Sequence, residues 1–406
     1  MTQQSAEAER LPPRKPWTDA AIWSAGFRPF FLGGAIYGPL TILFWLAAYA
    51  GLLSPSPGTW PLNLWHGHEL LCGYGAAVIT GFVITGIPSW GECRPIDRGP
   101  LALLFLVWLT GRVAMWLTPV LPTAVVAALD LAFFPLLAVL ITPSLLESRY
   151  KAFIAILVIL AAFFTGNLLF HLGVAGGDET AARFGLRLFL YAIIVLYTLV
   201  GGFLTPIFTQ TELGNDGWQG RIRFIIPLEV LAVLTVLAYA ATGLYAPAST
   251  LSGVAAILAF AVHGVRMARW QGHRTLGHPL LWVMNLSYLW FLTSVALRAI
   301  GDLWGLAPDM ASVHAFTVGA FGLMKIGFLT RVALRHTGRP LKPHGLMVLA
   351  FGLMFMAALS RLAAAYGLEP GILMMLSTLL WALPFVMYVA VHGAMLVRSS
   401  LPYRQE

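Results

Sequence analysis

The chain has 406 residues, of which 59% are hydrophobic and only 10% are charged, and its mean hydropathy is +0.79. A soluble domain carries about 25% charged residues, so the composition excludes a soluble protein and indicates a polytopic integral membrane protein. The net charge of +8 comes from basic residues in separate short loops rather than on one surface, so no nucleic-acid partner is expected.

Twelve apolar segments follow one another along the chain, and each is long enough to cross a bilayer, which takes about 20 residues. They cover residues 29–52, 66–89, 99–118, 122–146, 152–173, 184–208, 223–243, 250–270, 279–300, 311–331, 344–366 and 371–397. We predict an all-α transmembrane bundle of about 12 helices that forms one domain over 27–397. A polar cytoplasmic segment precedes it at 1–26, without the features of a cleaved signal peptide, and a cytoplasmic tail follows at 398–406.

The basic residues indicate the orientation of the bundle. If the N-terminus lies inside, 19 of the 25 Lys and Arg residues fall in or beside the inner loops. The positive-inside rule then predicts that both termini are cytoplasmic and that the loops at 53–64 and 301–310 face outward.

The second segment begins with Trp65-His66-Gly67-His68-Glu69, which places two imidazoles and a carboxylate at the edge of the hydrocarbon. Such groups are costly there and usually mark a metal site, a proton relay or an ion path. Residues two positions apart on a helix point about 200° apart, so His66 and His68 can ligate one metal only if the helix begins after them. Otherwise they serve two neighbouring sites, or one of them only supports a ligand.

Two further histidines are predicted at the same outer depth, His171 at the end of the fifth segment and His314 at the start of the tenth. Four imidazoles at one depth, with Glu69 beside them, favour a metal or haem site over four unrelated interfacial histidines. We predict that His66, His68, His171 and His314 bind a cofactor. Of these four, His66, His68 and His314 are the predicted metal ligands. Glu69 is the nearest carboxylate for a catalytic proton transfer or for orienting a ligand.

The tenth segment resembles the second. At equal spacing, His314, Gly319, Gly327 and Phe328 match His68, Gly73, Gly81 and Phe82, although a repeat of six helices would pair the second segment with the eighth. Lys325 lies about 16 Å deeper than His314, near the bilayer centre. We predict that Lys325 is either a catalytic residue on a proton path or a neutral or paired structural lysine.

The other polar residues of the segments have structural interpretations. Arg112 and Asp130 are predicted to pair across the hairpin around Pro119. Asn167 shares a helix face with His171 at i, i+4, so it either orients that imidazole or bonds to another helix. No C-x-x-C-H motif occurs, so a haem would be bound non-covalently.

Blocks of residues spread over almost the whole chain resemble those of the NnrS family of bacterial membrane proteins. The matching blocks are Gly26-Phe27-Arg28-Pro29-Phe30-Phe31, Trp65-His66-Gly67-His68-Glu69, Gly166-Asn167 with His171, Gly201-Gly202 with Pro206 and Thr209, His278-Pro279-Leu280-Leu281-Trp282, His314-Ala315-Phe316-Thr317-Val318-Gly319, Thr330-Arg331 and His336-Thr337-Gly338-Arg339. The resemblance implies twelve helices in the bacterial inner membrane, bound haem b and copper, and a role in handling nitric oxide or protecting against nitrosative stress.

Haem binding carries over from this family more directly than copper binding. Asn285 stands where family members commonly have a histidine, and Phe203 stands where they often have an arginine. Lys325 also stands where an uncharged residue is expected.

We therefore expect a haem-containing membrane protein, with copper as a second metal, that binds or reduces nitric oxide as a nitric oxide reductase-type enzyme would. Electrons would come from quinol, because the chain has no dinucleotide-binding G-x-G-x-x-G unit. Two other classes stay open. A proton-coupled transporter also fits the twelve helices, the Gly/Pro-interrupted segment at 201–208 and the buried Glu229 and Lys325. The other class is a haem-based sensor or assembly factor without turnover.

Overall fold

A computed structural model describes residues 16–53 and 60–402. Within these ranges the chain forms three separate short 3-10 helices, Trp17–Asp19, Ala21–Trp23 and Gly272–Arg274, and no strand. It also forms twelve helices that are long and apolar enough to span a membrane: α1 Phe27–Tyr49, α2 Leu62–Gly91, α3 Arg98–Trp116, α4 Thr123–Glu147, α5 Lys151–Ala175, α6 Glu179–Asn215, α7 Ile226–Tyr245, α8 Thr250–Ala268, α9 Pro279–Trp304, α10 Asp309–His336, α11 Gly345–Ala365 and α12 Pro370–Val397. Helices satisfy all backbone hydrogen bonds within one segment, as hydrocarbon requires.

The predicted all-α bundle of twelve spans is thereby confirmed, whereas the cytoplasmic orientation of the termini stays a prediction. Some of the predicted features fall outside the described residues: most of the polar segment 1–26, part of the outward loop 53–64 and the end of the tail 398–406.

Helix α2 begins one turn earlier than predicted, at Leu62, so His66 and His68 both lie inside it. The two imidazoles therefore point to different sides of α2. Immediately after His68, the helix widens into a π-helical segment, Glu69–Gly75. Helix α10 widens in the same way immediately after His314, over Ala315–Ala320. Short π segments inside α-helices occur frequently at functional sites.

The twelve helices form three successive groups of four: α1–α4, α5–α8 and α9–α12. The second helix of each group, α2, α6 and α10, is more buried than any of the other nine spans. Consecutive groups pack side by side, because α4 contacts α5, α8 contacts α9, and α12 returns to contact α1. The repeating unit is thus four helices rather than six, which explains why the second segment resembles the tenth and not the eighth.

The three inner helices enclose a cavity of about 60 Å³ at the centre of the bundle. Each inner helix contributes residues to its wall at the same spacing: Val78, Ile79, Phe82 and Val83 from α2, Leu196, Tyr197, Val200 and Gly201 from α6, and Met324, Lys325, Phe328 and Leu329 from α10. The identical register on all three helices indicates an approximate threefold arrangement around this cavity.

Two glycines allow α2 and α10 to pack closely against the first helix of their own groups. A Cβ on Gly81 would lie 2.9 Å from Cβ of Phe30 in α1, and a Cβ on Gly327 would lie 2.9 Å from Cγ1 of Val283 in α9. The next residues, Phe82 and Phe328, stack on each other with ring centroids 4.7 Å apart. The sequence match between the two segments is therefore a match in packing.

Candidate functional site

A cluster of charged and polar side chains is buried at the end of the bundle that is predicted to face outward. We call it the carboxylate–histidine cluster; its members are His68, Glu69, Arg112, Asp130, Asn167 and His171, contributed by α2, α3, α4 and α5. All six are at most 3% exposed. Ionisable groups at membrane depth are retained where they pair with one another or bind an ion.

His68 is held through both ring nitrogens. Nδ1 lies 2.7 Å from Oε1 of Glu69, and Nε2 lies 2.8 Å from Oδ1 of Asn167 and 3.2 Å from Oδ2 of Asp130. Phe170 stacks on the ring with its centroid 4.4 Å away. Because both nitrogens face acceptor oxygens, the ring donates from both and carries a positive charge when no metal is bound.

Arg112 joins the two carboxylates of the cluster. Its Nη1 donates to Oε1 and Oε2 of Glu69 at 2.8 and 2.9 Å, and its Nη2 donates to Oδ1 of Asp130. The predicted pairing of Arg112 with Asp130 is confirmed, and Glu69 is an additional partner. Tyr37 donates to Oε2 of Glu69 and accepts a hydrogen bond from Nε1 of Trp116 at 3.0 Å. Glu69 is thus oriented from three sides.

His171 and Asn167 approach the same carboxylate from α5. Nε2 of His171 lies 2.8 Å from Oδ2 of Asp130, and Nδ2 of Asn167 donates to that oxygen at 2.7 Å. Asn167 therefore does not orient His171 directly; it bonds to neighbouring helices at Asp130 and His68. Nδ1 of His171 is buried and has no hydrogen-bond partner among the described residues.

Three side chains of the cluster could hold a metal ion. One ligand atom each from His68, Asp130 and His171 lies within 4.8 Å of those of the other two. Two imidazoles and a carboxylate suit copper, iron or zinc better than calcium or magnesium. Glu69 on Nδ1 of His68 matches the common arrangement in which a carboxylate fixes the tautomer of a ligating histidine.

His66 and His314 are not part of this cluster. They lie near each other and near Arg361 of α11, close enough for electrostatic interaction, and we call them the histidine pair. His66 packs against the Trp45 ring at 4.7 Å, and neither of its nitrogens hydrogen bonds to a described residue. Nδ1 of His314 donates to the Met310 carbonyl at 2.9 Å, and Nε2 hydrogen bonds to no described residue. The four predicted histidines thus fall into two pairs on different sides of α2.

Lys325 belongs neither to the carboxylate–histidine cluster nor to the histidine pair; it lies in the wall of the central cavity. Its Nζ is 3.8 Å from the ring centroids of Tyr74 and Phe321, and it forms no ion pair with the acidic side chains that the structure describes. Cation–π contacts replace the anionic partner that a structural lysine in a membrane would normally have.

Asp130, Arg112 and Asn167 are the cluster members that the sequence does not assign to a site. The sequence predicts only a structural ion pair for Asp130, although its second oxygen faces both histidines. One feature of the sequence does point to the site, namely the membrane depth of these residues. Asp130 and Arg112 lie on either side of the same outer turn, at the depth where the histidines are predicted. Whether any of these residues ligates a cofactor stays a prediction.

Comparison with known proteins yields one family. Residues 21–400, nearly the whole chain, match the family model described as NnrS protein. None of the curated proteins matches the chain significantly. Since the match runs from the start of α1 to the end of α12, the chain belongs to the NnrS family.

Proposed function

We propose that this protein binds a metal ion in the carboxylate–histidine cluster and a haem at the histidine pair, and that it binds or reduces nitric oxide in the outer half of the bundle. The observation that carries the proposal is the convergence of His68, Asp130 and His171 on one buried point. Membership of the NnrS family is consistent with a membrane protein linked to nitric oxide metabolism.

The cluster fits a single metal ion by its donor chemistry. Its ligand atoms are two imidazole nitrogens and a carboxylate oxygen, and the buried Nδ1 of His171 lacks a hydrogen-bond partner among the described residues. The cluster does not fit a haem, because Phe170 stacks on one face of His68 and Glu69 and Asn167 occupy its nitrogens. A metal ion would take the place of the proton on Nε2 of His68.

The histidine pair fits a haem better than the cluster does. His66 and His314 come from different helices, are half-buried, and each has a ring nitrogen without a hydrogen bond to a described residue. Arg361 beside them forms no ion pair with a described acidic residue, so it is available for a haem carboxylate. When bound, a haem iron or a copper ion would supply the metal that binds nitric oxide.

The protein side chains would prepare this chemistry in two ways. Glu69 and Asp130 provide two negative charges; one offsets the Arg112 guanidinium, and the other would stabilise a bound metal cation. Glu69 is also the proton-exchanging group proposed here, because it shares hydrogen bonds with both the Tyr37 hydroxyl and the His68 ring. A membrane quinol is the proposed electron donor, and Lys325 is the proposed proton carrier from the opposite side.

A transporter is the second candidate function, and one observation favours it. Lys325 lies in a cavity enclosed by the three inner helices, and it faces no described carboxylate. A lysine in that position can bind an anion or carry a proton between the two sides of a membrane. Lys325→Met would then abolish transport, whereas the metal content would be unimportant for function.

Purified protein from haem-replete cells tests the proposal. We expect a haem spectrum that changes when nitric oxide is added, and a transition metal in addition to haem iron. The control variant is His263→Ala, which should keep the wild-type spectrum and metal content. His263 is a fully buried histidine of α8 bonded to Tyr288 and the Ala232 carbonyl, and it belongs neither to the carboxylate–histidine cluster nor to the histidine pair. A colourless, metal-free protein with transport activity would refute the proposal and support the transporter.

A further inference from the structure

The central cavity has an almost entirely apolar wall. Only two of its lining side chains, Tyr197 and Lys325, carry a nitrogen or oxygen atom, and both atoms have partners elsewhere. The Tyr197 hydroxyl lies 2.6 Å from Oγ of Ser287, and Nζ of Lys325 lies 3.8 Å from the ring centroids of Tyr74 and Phe321. Lys325 therefore contributes its methylene groups to the wall, which is hydrocarbon.

The size and polarity of the cavity restrict its occupant. A buried water molecule needs about two to four polar partners, and this wall offers none, so the cavity stabilises neither water nor a hydrated ion. Dry apolar cavities instead bind small apolar molecules, and one of about 150 Å³ binds benzene or xenon. With a volume of about 60 Å³, the central cavity has room for a xenon atom or a diatomic gas but not for an aromatic ring.

A second, narrower cavity of about 10 Å³ adjoins the central one. Ile79 and Val83 of α2 and Leu196 of α6 line both cavities, so only these side chains separate the two spaces. The narrow cavity continues between α4 and α5, where Ile156 in its wall is half-buried. The two cavities together thus extend from the centre of the bundle toward the lipid-facing side of α5.

The narrow cavity ends directly below the carboxylate–histidine cluster. Phe134 of α4 and Phe163 of α5 lie in its wall. Phe134 follows Asp130 by four residues and Phe163 precedes Asn167 by four, so each ring lies about one helical turn, roughly 6 Å, from a member of the cluster. Both rings pack on Phe189 of α6, with centroids 5.6 and 4.4 Å away. These aromatic rings separate the cavity from the buried charges.

We propose that the two cavities form a binding site for nitric oxide, through which the gas passes from the bilayer to the carboxylate–histidine cluster. Nitric oxide is a small, weakly polar diatomic molecule, and like other apolar gases it is more soluble in hydrocarbon than in water. The choice of this gas rests on the proposed function, in which nitric oxide reacts in the outer half of the bundle. Rotation of the Phe134 and Phe163 rings would let the gas reach the metal-binding side chains.

Xenon is the probe for the cavities, because it is an apolar atom of suitable size that X-ray diffraction detects. Crystals of the purified protein under xenon pressure should show an anomalous density peak in the central cavity of wild type. Val83→Phe places a larger side chain where the two cavities meet and should weaken that peak at least threefold. Leu196→Ala removes atoms from the wall and should strengthen the peak. Val158→Phe is the matched control, because Val158 is 71% exposed on α5 and lines neither cavity.

Nitric oxide binding to the same variants in nanodiscs is followed by stopped-flow spectroscopy. Val83→Phe should slow association at least threefold and leave the equilibrium affinity unchanged, because an obstructed route slows entry and exit equally. A substitution that only distorts the metal site would change the affinity as well. Val158→Phe should match wild type in both measurements.

Three results would overturn the inference: no xenon in the central cavity of wild type, a water molecule or an anion beside Lys325 in its place, or equal nitric oxide association rates for wild type and Val83→Phe. If Val83→Phe fails to fold, the xenon peaks of wild type and Leu196→Ala decide. Xenon binding does not require a metal, so its absence refutes only this inference. Absence of the metal and of the nitric oxide spectrum would instead refute the proposed function.

Discussion

Arg112 should be the residue on which the stability of the carboxylate–histidine cluster depends most. Arg112→Met removes the hydrogen bonds to both Glu69 and Asp130 and leaves the buried cluster with one excess negative charge. Removing one partner of a buried ion pair costs about 3–5 kcal/mol. Glu69 keeps Tyr37 and His68 as partners, so we expect a loss of about 3 kcal/mol, a change of roughly a hundredfold in the folding equilibrium.

A second substitution should restore part of this loss. In Arg112→Met/Glu69→Gln, the remaining charges of Asp130 and the His68 imidazolium balance, so the double variant should be more stable than Arg112→Met alone. The assay is equilibrium unfolding in mixed micelles with increasing dodecyl sulfate, followed by tryptophan fluorescence on chelator-treated protein. If the two losses simply add, or if Arg112→Met unfolds like wild type, the argument from charge balance is wrong.

Three other predictions concern sites outside the core of the cluster. Lys325→Met should slow nitric oxide turnover and leave the haem spectrum intact, because Lys325 lies in the central cavity; unchanged activity and pH dependence would make it structural. Burial and the nearby Glu147 carboxylate raise the pKa of the Cys93 thiol, so its reaction with maleimide should be slow at neutral pH and accelerate only at alkaline pH. In intact cells that reaction should require a membrane-permeant reagent; labelling by an impermeant one would contradict the predicted topology. His314→Ala should lower haem content without removing the second metal, and loss of both together would argue for one shared site.

The helices could be predicted from the sequence because each is a long apolar run, and backbone hydrogen bonding in hydrocarbon leaves few alternatives. The predicted start of α2 is wrong by one helical turn, and this error affects the interpretation of the site. The polar residues around His66 suggested that the membrane segment begins there, yet Leu62 and Leu64 already form its first turn. That single turn decides whether His66 and His68 can meet at one metal, and in the structure they cannot.

The membership of the site was less predictable, because it depends on helix rotation rather than on depth. Asp130 lies on α4 with one oxygen toward Arg112 and the other toward His171, and the sequence indicates only its depth. The threefold arrangement was also hidden, since equivalent positions around the central cavity hold chemically unrelated residues, Ile79, Tyr197 and Lys325. The three inner helices share the spacing of their cavity-lining positions, but not the residue types at those positions.

Metal analysis of purified wild type and of His68→Ala, His171→Ala and Asp130→Asn tests the proposed metal centre most directly. Wild type should contain a transition metal besides haem iron, and each of the three variants should lose most of that metal. His263→Ala, which removes a buried histidine elsewhere in the bundle, and His273→Ala, at the opposite end, should retain it. If all three cluster variants keep the wild-type metal and haem content, the carboxylate–histidine cluster is a structural ion-pair network and not a metal centre.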